Sequence, residues 1–398
     1  MKNINLLTTL IALVFFLVTS CETDTLTVPQ DGQVSSNASA RQAAPPIAAL
    51  KAKLAHLQAS LPASYGGKLK PITALSGKVD PHYRELVARA LGAIEPTPCD
   101  DNTRINLWLA EQLADWDSEV IFYALETAML DLPTYYALVF ENNPANQTFG
   151  VNGEYTQKMT KTFKDLKRFW NIQSNNIVLT AMHGSMLQDR TKLIKTYTVV
   201  YGLSPSLAAA YADLVIEFLT YFPQYRNGDH PIFTFNAFAQ KSFTLTGVGL
   251  IPDKIIMGDG IMQAYTAIGY GDVAVPAILA HEFGHHIQFQ LGLFGDEESP
   301  EATRRTELMA DAYSAYYLSH ARGASMQWKR VEQFLQVFYN IGDCGFTNDG
   351  HHGTPTQRMA AAAWGYSVAN NAQKQGHILT AQQFTALFEE QLPSLITQ

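Results

Sequence analysis

The chain has 398 residues, a formal net charge of −8 and 47% hydrophobic residues, enough apolar material for a sizeable globular core. With 28 Lys and Arg against 36 Asp and Glu, and no dense basic run, it lacks the clustered positive charge that a phosphate backbone demands, which argues against a nucleic-acid partner. Its three cysteines contain no CxxC pair, so a thiolate zinc module is excluded as well.

At the N-terminus, Lys2 precedes an apolar run from Leu6 to Val18. That is the length of a signal-peptide core and falls short of the roughly 20 residues a spanning helix needs. Residues 1–20 therefore read as an export signal. The stretch Val18-Thr19-Ser20-Cys21 resembles a bacterial lipobox. The resemblance implies that Cys21 becomes the lipid-modified first residue of an exported protein, anchored to the cell envelope on the periplasmic face or the outer surface without spanning the membrane. The alternative is an ordinary cleaved signal with an incidental cysteine. Cys99 and Cys344 remain, and in an oxidising compartment they either pair or serve as small buried hydrophobes.

Residues 21–45 are rich in Ser, Thr, Asn, Gln and Pro and almost devoid of large apolar side chains, the composition of a disordered tether. Apolar spacing of helical period begins at Ile47, Leu50, Leu54 and Leu57. It continues around Tyr83 to Ile94, Ile105 to Leu138 and Gln157 to Trp170, and returns at Ser206 to Phe222. Residues 46–199 are thus expected to form a helical N-terminal region. The pattern changes at Pro231 to Phe238, where aromatic and β-branched residues predict a strand, and a second strand is expected over Asp253 to Met257.

The most informative stretch is Ala280-His281-Glu282-Phe283-Gly284-His285-His286, an HExxH sequence preceded by an apolar helical run. Residues four apart share a helix face, so the imidazoles of His281 and His285 can converge on one metal ion with Glu282 beside it. This helix is expected from about Asp272, with Pro276 in its first turn, to Gly292. His286 points off the ligand stripe, which favours a packing or surface role.

Two histidines do not complete a catalytic zinc site, which takes three protein ligands and an open position. Ser299 and Pro300 predict the start of a second helix, running to near Arg322 and stopped by Gly323. Glu307, Ala310, Asp311 and Ser314 share one of its faces. Glu307 is the candidate third ligand, and Asp311, one turn on, could reach a ring N–H of His281 or His285 and fix its tautomer. Tyr313, Tyr316 and Tyr317 read as core. Further on, Thr354, Pro355 and Gln357 match a helix-starting capping box, which leaves His352 and Arg358 unexplained. Either could stabilise an oxyanion or orient a metal ligand, and His351 could replace His352 in that role.

HExxH followed by Glu307 and then Asp311 resembles the gluzincin pattern, in which the distant glutamate is the third zinc ligand. The segments from Ala277 to Gln288, Glu307 to Ala312 and His352 to Arg358 together resemble HExGHH, ELxAD and HGxxxQR of a bacterial family of neutral zinc metallopeptidases. The resemblance covers about 80 residues, and Asn236-Ala237-Phe238 is similar to an edge-strand motif of other zinc peptidases; the first 200 residues fall outside it. It implies an α+β, predominantly helical protein whose residues 200–398 form a zincin-like domain with a small sheet. It also implies Zn2+ on His281, His285 and Glu307, Glu282 as general base and then acid, and hydrolysis of a peptide or protein substrate that pairs with the edge strand at Phe233 to Phe238. Two alternatives stay open: a surface lipoprotein with a structural or vestigial zinc site acting as a binding module, and a zinc hydrolase of a non-peptide bond.

Overall fold

Leu50, Leu54 and Leu57 recur at helical spacing, and in the computed structural model of the chain all three are buried on α1 (Ile47–Ala59). The structure describes residues 46–78, 90–91, 103–145, 147–295, 299–340, 353–373 and 377–397. Cys21, Cys99, Cys344, His351 and His352 lie outside these residues, as do the signal and tether segments and most of the helix expected around Tyr83 to Ile94.

Local chemistry sets the helix starts. The Thr103 hydroxyl accepts from Asn106 N at the head of α2 (Arg104–Gln112), and Asp117 accepts from Glu119 N and Val120 N at the head of α3 (Ser118–Glu126). After α4 (Leu132–Phe140) and α5 (Thr156–Phe169) comes β1 (Val178–Met182), then α6 (Arg190–Val199), started by Asp189, and α7 (Pro205–Tyr221), started by Ser204 with Pro205 in the first turn. The remaining strands are β2 (Ala237–Gln240), β3 (Phe243–Leu245), β4 (Gly249–Ile251) and β5 (Lys254–Gly258). They are followed by α8 (Asp259–Ala267), α9 (Gly271–Leu291), α10 (Pro300–Ser319), α11 (Trp328–Asn340), α12 (Pro355–Gln373) and α13 (Ala381–Leu395).

The described chain is thus mostly helical with a small sheet in the order β1-β5-β2, β1 parallel and β2 antiparallel to β5; β3 and β4 form a separate hairpin. All five residues of β5 are buried, as suits the central strand, and β2 packs on α9. The described residues from Pro46 onward belong to a single compact unit. The expected boundary near residue 200 is therefore not a structural one: β1, from the region expected to be a separate helical part, supplies a strand to the same sheet as β5.

The expected strand at Pro231 to Phe238 is corrected in its first half. Pro231–Thr234 is a 3-10 turn, with His230 Nδ1 accepting from Ile232 N at 3.2 Å and Phe233 N donating to His230 O at 3.1 Å. Phe233 is fully buried, 6.0 Å from Trp116 and 5.8 Å from Tyr225 between ring centroids. The aromatic enrichment that suggested a strand reflects a turn buried on all sides, and pairing with β5 starts only at Ala237.

Candidate metal centre

The HExxH helix, α9, begins one residue before the expected Asp272 and ends at Gly292 in the left-handed conformation (φ +66). Pro276 consequently lies in its second turn rather than its first, where its missing N–H leaves the Asp272 carbonyl without its helical partner. Lys158 Nζ (3.1 Å) and Arg330 Nη2 (3.4 Å) donate to that oxygen instead, so the proline is accommodated by charge from α5 and α11. The glutamate helix, α10, starts with Ser299 accepting from Ala302 N and ends at Ser319, three residues short of the expected Arg322.

The shared face foreseen on α10 does meet α9. A β-carbon built on Gly284 would lie 3.2 Å from Ala310 Cα, so the two backbones nearly touch midway between the histidines and the carboxylates. Ser314 Oγ donates to Ala277 O at 2.8 Å one level below. Behind α10, Gly365 of α12 approaches as closely, since its β-carbon would sit 2.4 Å from Ala312 O.

That packing gathers one ligand atom each from His281, His285 and Glu307 within 4.8 Å of one another, a group that could hold a metal ion. The two Nε2 atoms are 3.1 Å apart, Glu307 Oε2 is 3.1 Å from His281 Nε2, and Glu307 Oε1 is 3.2 Å from His285 Nε2. Ligands at about 2.0–2.1 Å around a tetrahedral ion are separated by about 3.3 Å, close to the spacing of the two Nε2 atoms and to that of each ring from its nearer Glu307 oxygen. Each ring's other nitrogen is engaged: His281 Nδ1 donates to Asp311 Oδ1 (2.8 Å) and His285 Nδ1 to Gln288 Oε1 (2.9 Å). Both tautomers therefore aim the Nε2 lone pair at the common point.

Electrostatics agree with a cation site. Burial opposes a charge on the His281 ring, but the carboxylates of Asp311 and Glu307 outweigh it and raise its pKa to about 9. Glu282, Glu307 and Asp311 are all buried, and Arg358, also buried, is the guanidinium beside Glu307 and Asp311. The Glu307 and Asp311 carboxylates that favour a positive charge on His281 would favour a metal cation at the same place.

Of the residues singled out from sequence, Asp311 and Arg358 are drawn to this centre. Arg358 is not at the mouth: it is 1% exposed, binds Asp311 through two nitrogens and lies with Nη1 3.6 Å from Glu307 Oε2. Of the two roles considered for it, this placement among the carboxylates suits orienting ligands. The Thr354–Gln357 capping box is formed, with Gln357 N donating to Thr354 Oγ1 (3.1 Å) and Thr354 N to Gln357 Oε1 (3.2 Å). His286 is 1% exposed with Nε2 donating to Lys254 O (2.8 Å), and burial lowers its pKa to about 4, so it ties α9 to β5 and packs. Tyr313, Tyr316 and Tyr317 are core.

Gln288 is the residue whose part sequence reasoning missed. It orients His285 and, through Nε2, donates to Thr306 O at 2.6 Å, linking the two helices. Its position three residues after His285 was the available signal. The chain matches no known family profile, no curated protein and no solved structure.

Proposed function

We propose that this chain is a zinc-dependent endopeptidase of the bacterial cell envelope, exported and held to a membrane by lipid on Cys21. One observation carries the reading: His281, His285 and Glu307 converge from two tightly packed helices, and Glu282 of the HExxH sequence follows His281 directly on the same helix. Two imidazoles and one carboxylate make the donor set of catalytic zinc, and a structural site would be closed by a fourth side chain. Among the described residues the group contains three.

A divalent ion held by His281, His285 and Glu307 would supply Lewis acidity, polarising a carbonyl and lowering the pKa of water. The chain's own residues do the rest. Glu282 accepts a proton from the attacking water and returns it to the leaving amine. Asp311 and Gln288 keep the two rings in the metal-binding tautomer, and Arg358 keeps the Asp311 and Glu307 carboxylates in place. An extended peptide would add alongside β2, whose other edge bonds β5, through main-chain hydrogen bonds that tolerate many side chains. With Pro231–Thr234 a turn, this pairing edge is Ala237–Gln240 in place of the expected Phe233 to Phe238.

The test is hydrolysis of unfolded casein by zinc-loaded protein, with and without chelator, beside Glu282→Gln. Chelator-sensitive cleavage by the native chain and loss of at least a hundredfold in the variant, at equal zinc content, are expected. Full cleavage by a zinc-loaded Glu282→Gln protein would sink the mechanism. Stoichiometric zinc without turnover on any peptide pool would favour the binding module. The anchor is tested separately, since Cys21→Ser should move the protein from the membrane to the soluble fraction.

A further inference from the structure

The turn that orients His285 also carries an exposed aromatic ring. Leu293 N donates to Gln288 O at 3.0 Å across the Gly292 cap, and Arg305, itself paired with Glu389, donates to Leu293 O at 3.0 Å. The backbone leading into Phe294 is thus pinned on both sides. Phe294 nevertheless remains 43% exposed. Its ring stacks on Phe289 (centroids 4.8 Å apart, planes at 29°) and lies 6.3 Å from the His285 ring. His285 is also the most accessible of the three ligand side chains, 12% exposed against 6% for His281 and 8% for Glu307. The Phe289–Phe294 pair thus stands beside the most accessible of the three ligand side chains.

Two stacked aromatic rings, one of them exposed, beside a polar centre form a ready subsite for an apolar group. We propose that Phe294 is a specificity-determining residue, forming with Phe289 an aromatic shelf for a large apolar side chain of the peptide next to the scissile bond. The inference rests on the peptidase reading and names the substrate class that reading leaves open.

Calorimetric binding of phenylalanine hydroxamate and glycine hydroxamate to the zinc-loaded full chain tests it without requiring turnover. The native protein should bind the phenylalanine compound about tenfold more tightly. Phe294→Ala should erase that difference while leaving zinc content and glycine hydroxamate binding unchanged, and Phe294→Leu should keep part of it. Equal affinity of the native protein for both compounds, or an undiminished preference in Phe294→Ala, overturns the shelf and leaves the peptidase reading standing. Failure of both compounds to bind zinc-loaded protein means that the ion has no open corner, which overturns the peptidase reading and the shelf with it.

Discussion

Arg358 and Asp311 form a two-point ion pair in the core, Nη2 standing 2.7 Å from Oδ1 and Nε bonding Oδ2, while the same Oδ1 accepts from His281 Nδ1 at 2.8 Å. Asp311 is wholly buried. Its carboxylate is therefore tolerated only because a guanidinium from α12 and an imidazole from α9 meet it there. One residue on α10 ties together three helices and the position of one metal ligand.

Removing the guanidinium strands that carboxylate. Arg358→Met should lower unfolding stability by about 3–5 kcal/mol in urea with metal chelated. Arg358→Lys, which keeps the charge but cannot form the planar fork, should fall between the two. An unchanged urea midpoint in Arg358→Met would contradict the account.

Asp311→Asn keeps the size of the side chain but weakens its hold on His281. Zinc affinity, measured by competition with a chromophoric chelator, should fall about 10–100-fold. His281→Ala and Glu307→Ala should each abolish stoichiometric zinc, and Glu282→Gln should retain it. Zinc retained at full affinity without Glu307 would remove the third ligand from the scheme.

The two close helix contacts should separate stability from metal binding. In Gly365→Ala the new methyl meets the Ala312 carbonyl at 2.4 Å, a backbone atom that cannot turn aside, and a loss of about 1–3 kcal/mol is expected. In Gly284→Ala the nearest atom is Ala310 Cα at 3.2 Å, a milder clash, but one that pushes the carboxylate helix away from the histidine helix. This variant should lose more zinc affinity than stability, and Gly365→Ala the reverse. Identical zinc affinity in the Gly284→Ala and native proteins would show that the spacing of α9 and α10 does not set the site.

His230 supplies a pH test remote from the metal. Burial lowers its pKa to about 4, with hydrogen bonding to the Gln112 carbonyl opposing. Nε2 donates to Gln112 O at 2.9 Å and Nδ1 accepts from Ile232 N, so a proton on Nδ1 would break the cap of the 3-10 turn. The folded pKa lies below the unfolded value of 6.5, so this contribution is complete above pH 6.5, declines as the pH falls and is gone below about 4. Carboxylates titrate over part of the same range, so His230→Asn, which can still cap, serves as reference. The native protein should lose more stability than the variant between pH 6.5 and 4, as read by urea titration; parallel pH curves would show that His230 carries no such linkage.

What was legible in the sequence was local. The 3.6-residue period placed α1, α5 and α7 to within a residue or two, Ser299-Pro300 and Gly292 marked helix ends, and Thr354 with Gln357 announced the capping box. What was missed depends on surroundings. β1 was not foreseen because Val178–Met182 is short and buried over most of its length, so no alternation of period two marks it. Pro231–Thr234 was misread because burial on every side and strand formation enrich the same aromatic residues.

The sequence by itself determined which residues could carry metal chemistry, because the spacing of His281 and His285, and of Glu307 and Asp311, is fixed by helix geometry alone. Only the tertiary structure decided that these two helices face each other at glycine distance, that Gln288 and Asp311 divide the two imidazoles between them, and that Arg358 lies behind the ligands. Those are relations between segments far apart in the chain. They are set by how backbones and side chains pack in three dimensions, which no local period encodes.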